Sequence, residues 1–296
     1  DSNNNIRLDR YMNMNNSGTF NPPVTNGIKV YSASTSLGDI DNDGDLDLIV
    51  TGSSNVALAG SPRLAKLMNN GAGGFSPPVN FGMGVFRSST ALGDIDGDGD
   101  LDLVVTGEDT NTTKHLDKYV NDGAGVFSGP TMFGTPVRNG STSLGDIDGD
   151  GDLDIILTGG QTTVSDTARL EKYINNGVGI FSGPTSFGSG VGLSSSTLAD
   201  LNGDGDFDLI VTGRDRGAVF HLDSYVNDGS GGFSPAASFG VGVYNNGAVS
   251  VGDRDNDGDF DLVVTGQATN GVRLDYYVNN GDGTFAGTVP FGTGVT

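Results

Sequence analysis

Aspartates occupy alternate positions of a nine-residue stretch, Asp-x-Asp-x-Asp-Gly-Asp-x-Asp, that occurs five times in a chain of 296 residues, one copy having Asn202 at its third position. Side-chain oxygens at every second position of a short loop, with one glycine to permit a sharp turn, are what a hard cation takes as ligands. The copies begin at Asp39, Asp94, Asp146, Asp200 and Asp253, between 52 and 55 residues apart. In the first loop Asp39, Asp41 and Asp43 are expected to point inward, with Gly44 at the turn. Asp45 is expected to offer its backbone carbonyl and Asp47 to close the shell. The corresponding side-chain ligands are Asp94, Asp96, Asp98 and Asp102, then Asp146, Asp148, Asp150 and Asp154. The last two sets are Asp200, Asn202, Asp204 and Asp208, and Asp253, Asp255, Asp257 and Asp261. Asp100, Asp152, Asp206 and Asp259 stand where Asp45 does.

Packing carboxylates this densely without a cation is costly. Two unit charges about 4 Å apart repel by roughly 4 kcal/mol at an effective dielectric near 20. A divalent ion reverses that sign. Calcium is expected, about five ions with one per loop, because the ligands are many, all oxygen and borne on a flexible loop. Zinc does not fit a chain without cysteine and with two scattered histidines. An EF-hand needs a glutamate at loop position 12 and flanking helices. Position 12 is Val50, Val105, Leu157, Val211 or Val264, inside a β-branched run. Acidic solvated turns without metal are the bland alternative, and five copies with the glycine in register argue against it. Near-identical sites in every repeat point to structural ions that do no chemistry.

The elements that hold these loops follow from the second copy. Ser88–Gly93 reads as a first strand, Leu101–Gly107 as a second and His115–Val120 as a third. Asn121-Asp122-Gly123 is a hairpin turn, and Val126-Phe127 with Met132-Phe133-Gly134 belong to a fourth strand. The same pattern recurs at Asn69, Asn175, Asn227 and Asn279, and in the Phe-Gly pairs at Phe81, Phe187, Phe239 and Phe291. Each repeat is thus expected to be a four-stranded antiparallel meander that cannot bury its faces alone. The fold class is all-β, and a β-propeller of four-stranded blades fits periodic glycines and aromatics at this spacing. Calcium-binding β-solenoids have much shorter repeats. The chain is expected to form a single propeller over 1–296, with a half blade at 1–30 and blades near 31–86, 87–138, 139–192, 193–245 and 246–296.

The ends do not match. Ile6–Met12 and Gly18-Thr19-Phe20 correspond only to third and fourth strands, and the C-terminus stops after its own fourth strand. Three readings follow: a fragment, an N-terminal half blade packed within the chain, or a hairpin that joins a neighbouring molecule.

The net charge is −22, and the five loops carry 24 of the 37 acidic residues. Five divalent ions would leave about −12. Nucleic acid is therefore excluded as a partner, since phosphate binding needs clustered Lys and Arg. No apolar run long enough to span a membrane, signal peptide or lipidation motif is visible. Disulfides and thiol catalysis are excluded because the chain has no cysteine. A start at Asp1 suggests processing or excision. His115 and His221 share a repeat position with Arg7, Arg63, Arg169 and Arg273, so they read as polar strand positions beside an acidic residue. Tyr11, Tyr119, Tyr173, Tyr225 and Tyr277 read as packing residues. The non-repeating links Asp109–Lys114, Gln161–Ala168, Arg214–Ala218 and Gln267–Gly271 are where binding would reside. Asn15, Asn111 and Asn139 each head an Asn-x-Ser/Thr triplet.

The acidic motifs, over nearly the whole chain, resemble the FG-GAP or VCBS repeats of integrin α-subunit propellers, secreted bacterial proteins and some fungal lectins. The resemblance implies calcium held between the first and second strands of each blade. It departs in having Thr-Gly after the second strand, as at Thr106-Gly107, and five and a half blades where seven are common. On this basis the expected function is an extracellular, non-enzymatic adhesion or surface-assembly module with a protein or glycan partner. Self-association through the half blade is part of that expectation. The alternatives are a lectin-like carbohydrate-binding propeller and the propeller of a polysaccharide-degrading enzyme.

Overall fold

The computed structural model describes residues 8–11, 21–25, 28–54, 61–160, 168–287 and 289–290. Among them there is no helix, and every strand pair of known register is antiparallel. The chain divides into two compact units, 1–92 with 98–132 and 93–97 with 133–296.

The N-terminal pair is β1 (Asp9–Arg10) with β2 (Val24–Thr25). The expected strand at Gly18–Phe20 lies outside the described residues. There follow β3 (Thr35–Gly38), β4 (Asp47–Ser53), β5 (Pro62–Leu67), β6 (Val79–Gly93), β7 (Asp102–Glu108), β8 (Lys114–Asn121) and β9 (Phe127–Val137). These seven form one sheet in chain order. A second seven-stranded sheet contains β10 (Thr142–Gly145), β11 (Asp154–Gly159), β12 (Arg169–Ile174), β13 (Ser182–Ala199), β14 (Asp208–Arg214), β15 (Phe220–Tyr225) and β16 (Ala237–Ser238). The last sheet has four strands, β17 (Tyr244–Gly252), β18 (Asp261–Ala268), β19 (Gly271–Tyr277) and β20 (Val289–Pro290).

The expected separate four-stranded meanders are therefore joined in pairs. The fourth strand of one repeat continues without a break into the first strand of the next, as β6 and again as β13. Inside both, one residue turns left-handed, Arg87 at φ 52° and Leu193 at φ 50°. In β13 a register shift between Gly192 and Ser195 accompanies Leu193. A single bulged residue redirects the strand to its new partner.

Each second strand is buried on both faces, which is why Leu48-Ile49-Val50 and Leu209-Ile210-Val211 are apolar without alternation. The core is made between successive repeats. In one unit Ile40, Ile49, Leu64 and Val85 of the first repeat pack on Leu103, Val105 and Tyr119 of the second. In the other, Ile147, Ile156, Leu170 and Val191 pack on Leu209, Val211 and Tyr225. The fourth and fifth repeats meet in the same way through Ile210, Leu222, Val249 and Leu262.

The Phe-Gly pairs explain themselves at these interfaces. Phe187 stacks on Phe233 of the next repeat, centroids 4.9 Å apart, and meets Tyr225 edge-on at 5.8 Å. Phe81, Phe133 and Phe239 do the same with Tyr119, Tyr173 and Tyr277. All four tyrosines are 1% exposed, and each hydroxyl accepts a backbone N–H from just beyond the facing glycine, Ser189 for Tyr225. The glycine has to be there. At Gly188, φ is +59° and a Cβ would come within 2.5 Å of the Tyr225 hydroxyl.

Gly188→Ala is accordingly expected to destabilise the protein by about 2 kcal/mol, through both strain and overlap. Denaturant unfolding measures it. A loss below about 0.5 kcal/mol would mean that the tyrosine contact is slack.

Candidate functional site

Every acidic loop is the connection of a β-hairpin. Gly38 pairs with Asp47, Gly145 with Asp154, Ala199 with Asp208 and Gly252 with Asp261, so the loop starts and ends on paired residues. The first carboxylate organises the turn. Asp39 accepts N–H groups from Asp43 (3.1 Å) and Gly44 (2.9 Å), and Asp146 accepts from Gly149, Asp150 and Gly151. Asp200 and Asp253 repeat this with Gly203, Gly205, Asn256 and Gly258. The fifth loop position accepts an N–H two residues on: Asp43 from Asp45, Asp98 from Asp100, Asp150 from Asp152, Asp204 from Asp206 and Asp257 from Asp259.

Three loops bring three carboxylates each to within 4.8 Å of one another: Asp39, Asp41 and Asp43; Asp146, Asp148 and Asp154; and Asp253, Asp255 and Asp257. Such clusters can hold a metal ion. The second loop is divided between the two units; in one, Asp94 accepts from Gly97 (2.8 Å), and in the other Asp102 accepts from Asn121 (2.8 Å). In the fourth loop the Asn202 amide donates to Asp204 (2.8 Å). The donor sets fit a hard divalent ion. One oxygen each of Asp41 and Asp148 is buried without a hydrogen-bond partner in the protein. An orphaned carboxylate oxygen is costly unless a cation takes it.

Two loop positions have duties that the spacing did not suggest. The seventh aspartate lays its carboxylate over the glycine of the Asn-x-Gly hairpin in its own repeat, Asp45 at Gly71, Asp152 at Gly177, Asp206 at Gly229 and Asp259 at Gly281. Asp100 sits likewise at Gly123. The ninth aspartate is a buried clasp. Asp154 accepts from Ile147 N (3.1 Å) and Asn175 N (2.8 Å), and Asp47, Asp208 and Asp261 do the equivalent. The same hairpin asparagines reach further with their side chains. Asn175 donates to Leu153 O and to Ile95 O of the preceding repeat's loop, and Asn121, Asn227 and Asn279 do so with Ile40, Ile147 and Leu201. The recurrence of this asparagine 18 to 22 residues after each ninth aspartate was the available signal.

His115 and His221 are strand positions, as read. The Nδ1 of each lies 2.9 Å from the carboxylate of Asp117 or Asp223. The bond to Asp117 raises His115, against burial. The tip residues Asp109 and Asp215 also face the imidazoles.

At the far end of β14 from its acidic loop, about 20 Å away by strand rise, the second unit contains a cavity of about 340 Å³. It is bounded by Arg169, Leu170 and Glu171 of β12, Ser186 and Phe187 of β13, and Arg216 in the turn after β14. Arg169 Nη1 pairs with Glu171 Oε1, and the Tyr173 hydroxyl donates to Glu171 Oε2 at 3.0 Å. Arg216 belongs to a link marked in the sequence as non-repeating. Its convergence with Arg169 was not readable there, because it depends on how consecutive repeats pack. Residues 161–167 of the link before β12 lie outside the described residues, as do Asn15 and the Phe291-Gly292 pair.

The described residues form an all-β fold of antiparallel sheets whose hairpins carry the acidic loops. An FG-GAP-like repeat model matches residues 39–105 and 162–211, and the chain carries FG-GAP-like repeats. No curated protein matches it in sequence. Among solved structures, CoXyl43, a GH43 β-xylosidase/α-arabinofuranosidase from a compost microbial metagenome in a calcium-free complex with xylotriose, is 13% identical. Its match covers 95% of this chain and 98% of that one, with a TM-score of 0.50. The Aleuria aurantia lectin with α-methyl-L-fucoside is 14% identical over 88% and 96%, TM-score 0.44. The V. cholerae biofilm matrix protein Bap1 is 16% identical over 86% of this chain, which spans 38% of that protein's length, TM-score 0.43. At these identities the likeness is one of fold.

The expected adhesion or surface-assembly function is corrected by these structures. A structure that matches over nearly the full length of both chains, at a TM-score of 0.50, is a glycoside hydrolase and not an adhesion module. The reason is physical. The acidic loops that suggested adhesion blades use their carboxylates on their own turns and hairpins, so they specify architecture and not a partner.

Burial lifts Asp154 from 3.8 to about 6, against the N–H groups of Asn175 and Ile147 and with help from Asp148 and Asp150. In metal-free protein its carboxyl is therefore expected to titrate near 6 by carbon-13 NMR. Between 3.8 and about 6 the folded state holds a proton that the unfolded state has lost. The destabilisation from this group is thus full above about 6 and disappears as pH falls through that window. A titration near the ordinary value would contradict its burial.

Proposed function

We propose that the chain is a calcium-stapled β-propeller, five complete blades and an N-terminal half blade, that binds carbohydrate without cleaving it. The blades follow the boundaries near 31–86, 87–138, 139–192, 193–245 and 246–296, with the half blade at 1–30. The cavity between Arg169 and Arg216 carries the binding reading. It is of monosaccharide-to-disaccharide size, has an aromatic edge in Phe187 and offers polar groups of several kinds, the usual composition of a small-ligand site. Glycoside hydrolysis uses a pair of carboxyl groups flanking the scissile bond. Among the residues lining this cavity Glu171 is the one carboxylate, and both its oxygens are engaged. That supports binding over catalysis.

Calcium would be held by Asp39, Asp41, Asp43 and Asp47 and by their counterparts in the other loops, with the carbonyls of Asp45, Asp100, Asp152, Asp206 and Asp259. The ion would supply neutralising charge. The calcium requirement and a glycan ligand both suit an extracellular setting. Among the described residues no helix is long and apolar enough to cross a membrane.

Removing calcium with a chelator is expected to lower the Tm by about 10 °C or more, since each saturated site adds roughly 2.7 kcal/mol at a hundredfold excess over Kd. Calorimetry with and without chelator reads this, and an unchanged midpoint counts against structural ions. A glycan array with calcium present tests the second half of the proposal. Reproducible hits are expected, and a blank array with folded protein would refute carbohydrate binding.

A further inference from the structure

We infer that His115 is a proton-operated latch: its imidazolium holds the turn between β7 and β8 closed, and loss of the ring proton to solvent releases that turn. The inference does not rest on the carbohydrate-binding reading.

The latch consists of three buried side chains. His115 on β8 is 5% exposed, Asp117 on the same strand 2%, and Asp109 at the head of the turn 7%. The imidazole lies between the two carboxylates. Its Nδ1 is 2.9 Å from Asp117 Oδ2, and its Nε2 is 3.7 Å from Asp109 Oδ2. Nε2 is buried and has no hydrogen-bond partner in the protein. A neutral imidazole carries one N–H and one lone pair. With its N–H on Asp117, it would turn the lone pair toward Asp109. Only the doubly protonated ring presents an N–H to each carboxylate. Charge favours the same form, because a neutral ring leaves two buried carboxylates with no cation between them. His115 accordingly rises above the ordinary histidine value, through the bond to Asp117 and against burial, with Asp109 adding to the rise.

The other charged groups on these elements do not substitute for the proton. Lys114 and Lys118 fall on the opposite face of β8 from His115 and Asp117. Glu108 of β7 stands across from Lys114, on that same far face, and meets Arg87 of β6 at 3.2 Å. Lys114 Nζ donates to Thr112 O at 2.9 Å.

Asp109 in turn organises the loop it heads. Its carboxylate accepts the N–H groups of Asn111 (2.8 Å) and Thr113 (2.9 Å), and its own N–H donates to Thr113 O at 2.9 Å. Whatever anchors Asp109 therefore anchors the exposed turn, one of the non-repeating links. His221 repeats the geometry, with Nδ1 2.9 Å from Asp223 and Nε2 3.2 Å from Asp215. Arg169 and Arg273 stand at the same repeat position and pair with Glu171 and Asp275 two residues on. An arginine keeps its charge at every working pH, so the histidine repeats alone carry a latch that a proton can open.

The unfolded histidine titrates near 6.5. The latch is thus fully set below that value and is lost as pH rises through the higher folded one. Hydrogen exchange of the Asn111 and Thr113 amides in the calcium-loaded full chain, corrected for the intrinsic effect of pH on exchange, reads it. Their protection is expected to fall at least about tenfold between about pH 6 and about pH 9, the effect of a one-unit difference in proton affinity between closed and open turn. His115→Arg, the residue of the sister repeats, is expected to keep the turn protected throughout. His115→Gln, which is uncharged, is expected to leave it unprotected throughout. Nitrogen-15 NMR of the wild-type ring, which needs no variant to fold, is expected to show both nitrogens protonated at about pH 6. A neutral ring at that pH overturns the latch. Protection that stays flat in the wild type, or falls equally in either variant, overturns it too.

Discussion

The structure depends on a buried carboxylate at the end of each acidic loop. Asp47, Asp154, Asp208 and Asp261 each take one N–H from the loop's own second residue and one from the asparagine that opens the next hairpin of the same repeat. Asn121, Asn175, Asn227 and Asn279 then spend their amides on two carbonyls, one in their own loop and one in the loop of the repeat before. A turn, a hairpin and a neighbouring repeat are thus fixed by two side chains. Burial raises the pKa of Asp154, and nearby carboxylates add to the rise, so the arrangement sets a hydrogen-bond requirement against a charge requirement. A divalent ion, as proposed, would satisfy the second without disturbing the first.

Around this clasp the packing is the same argument repeated. Apolar second strands are covered on both faces because a sheet of one repeat lies against the next. The aromatic trio at each interface aligns them, and the hydroxyls of the first strands add polar contacts, with Ser34 and Ser36 both against Thr90 and Ser143 against Ser196. No single repeat has an interior of its own. Stability is then a property of interfaces, and it is spread along the array.

Much of this was legible in the residues. The acidic loops, the Asn-x-Gly hairpins and the recurring tyrosine and Phe-Gly positions fixed the strands and the interfaces because each reports a local geometric need or an exact period. The continuity of β6 and β13 was not legible. It turns on Arg87 and Leu193 adopting a left-handed backbone that neither residue favours, so tertiary pairing overrides propensity there. The cavity was half legible. Arg214–Ala218 stood out as non-repeating, whereas Arg169 looked like one more strand cation. Only the packing of consecutive repeats brings Arg169 beside Arg216. The function read from the acidic loops was misplaced for a related reason, since conspicuous chemistry was serving the scaffold.

The asparagine clasp has a further consequence for how such a chain can change. In four repeats it reaches from hairpin to the preceding loop, 78 to 81 residues along the sequence, and displacing either end loses two buried bonds. Among the described residues, the turns between second and third strands carry no such tie to another repeat's clasp. Insertions, deletions and sequence drift are therefore channelled to one rim of each unit, and an engineer seeking to graft a new recognition loop would find that rim already separated from what keeps the molecule folded.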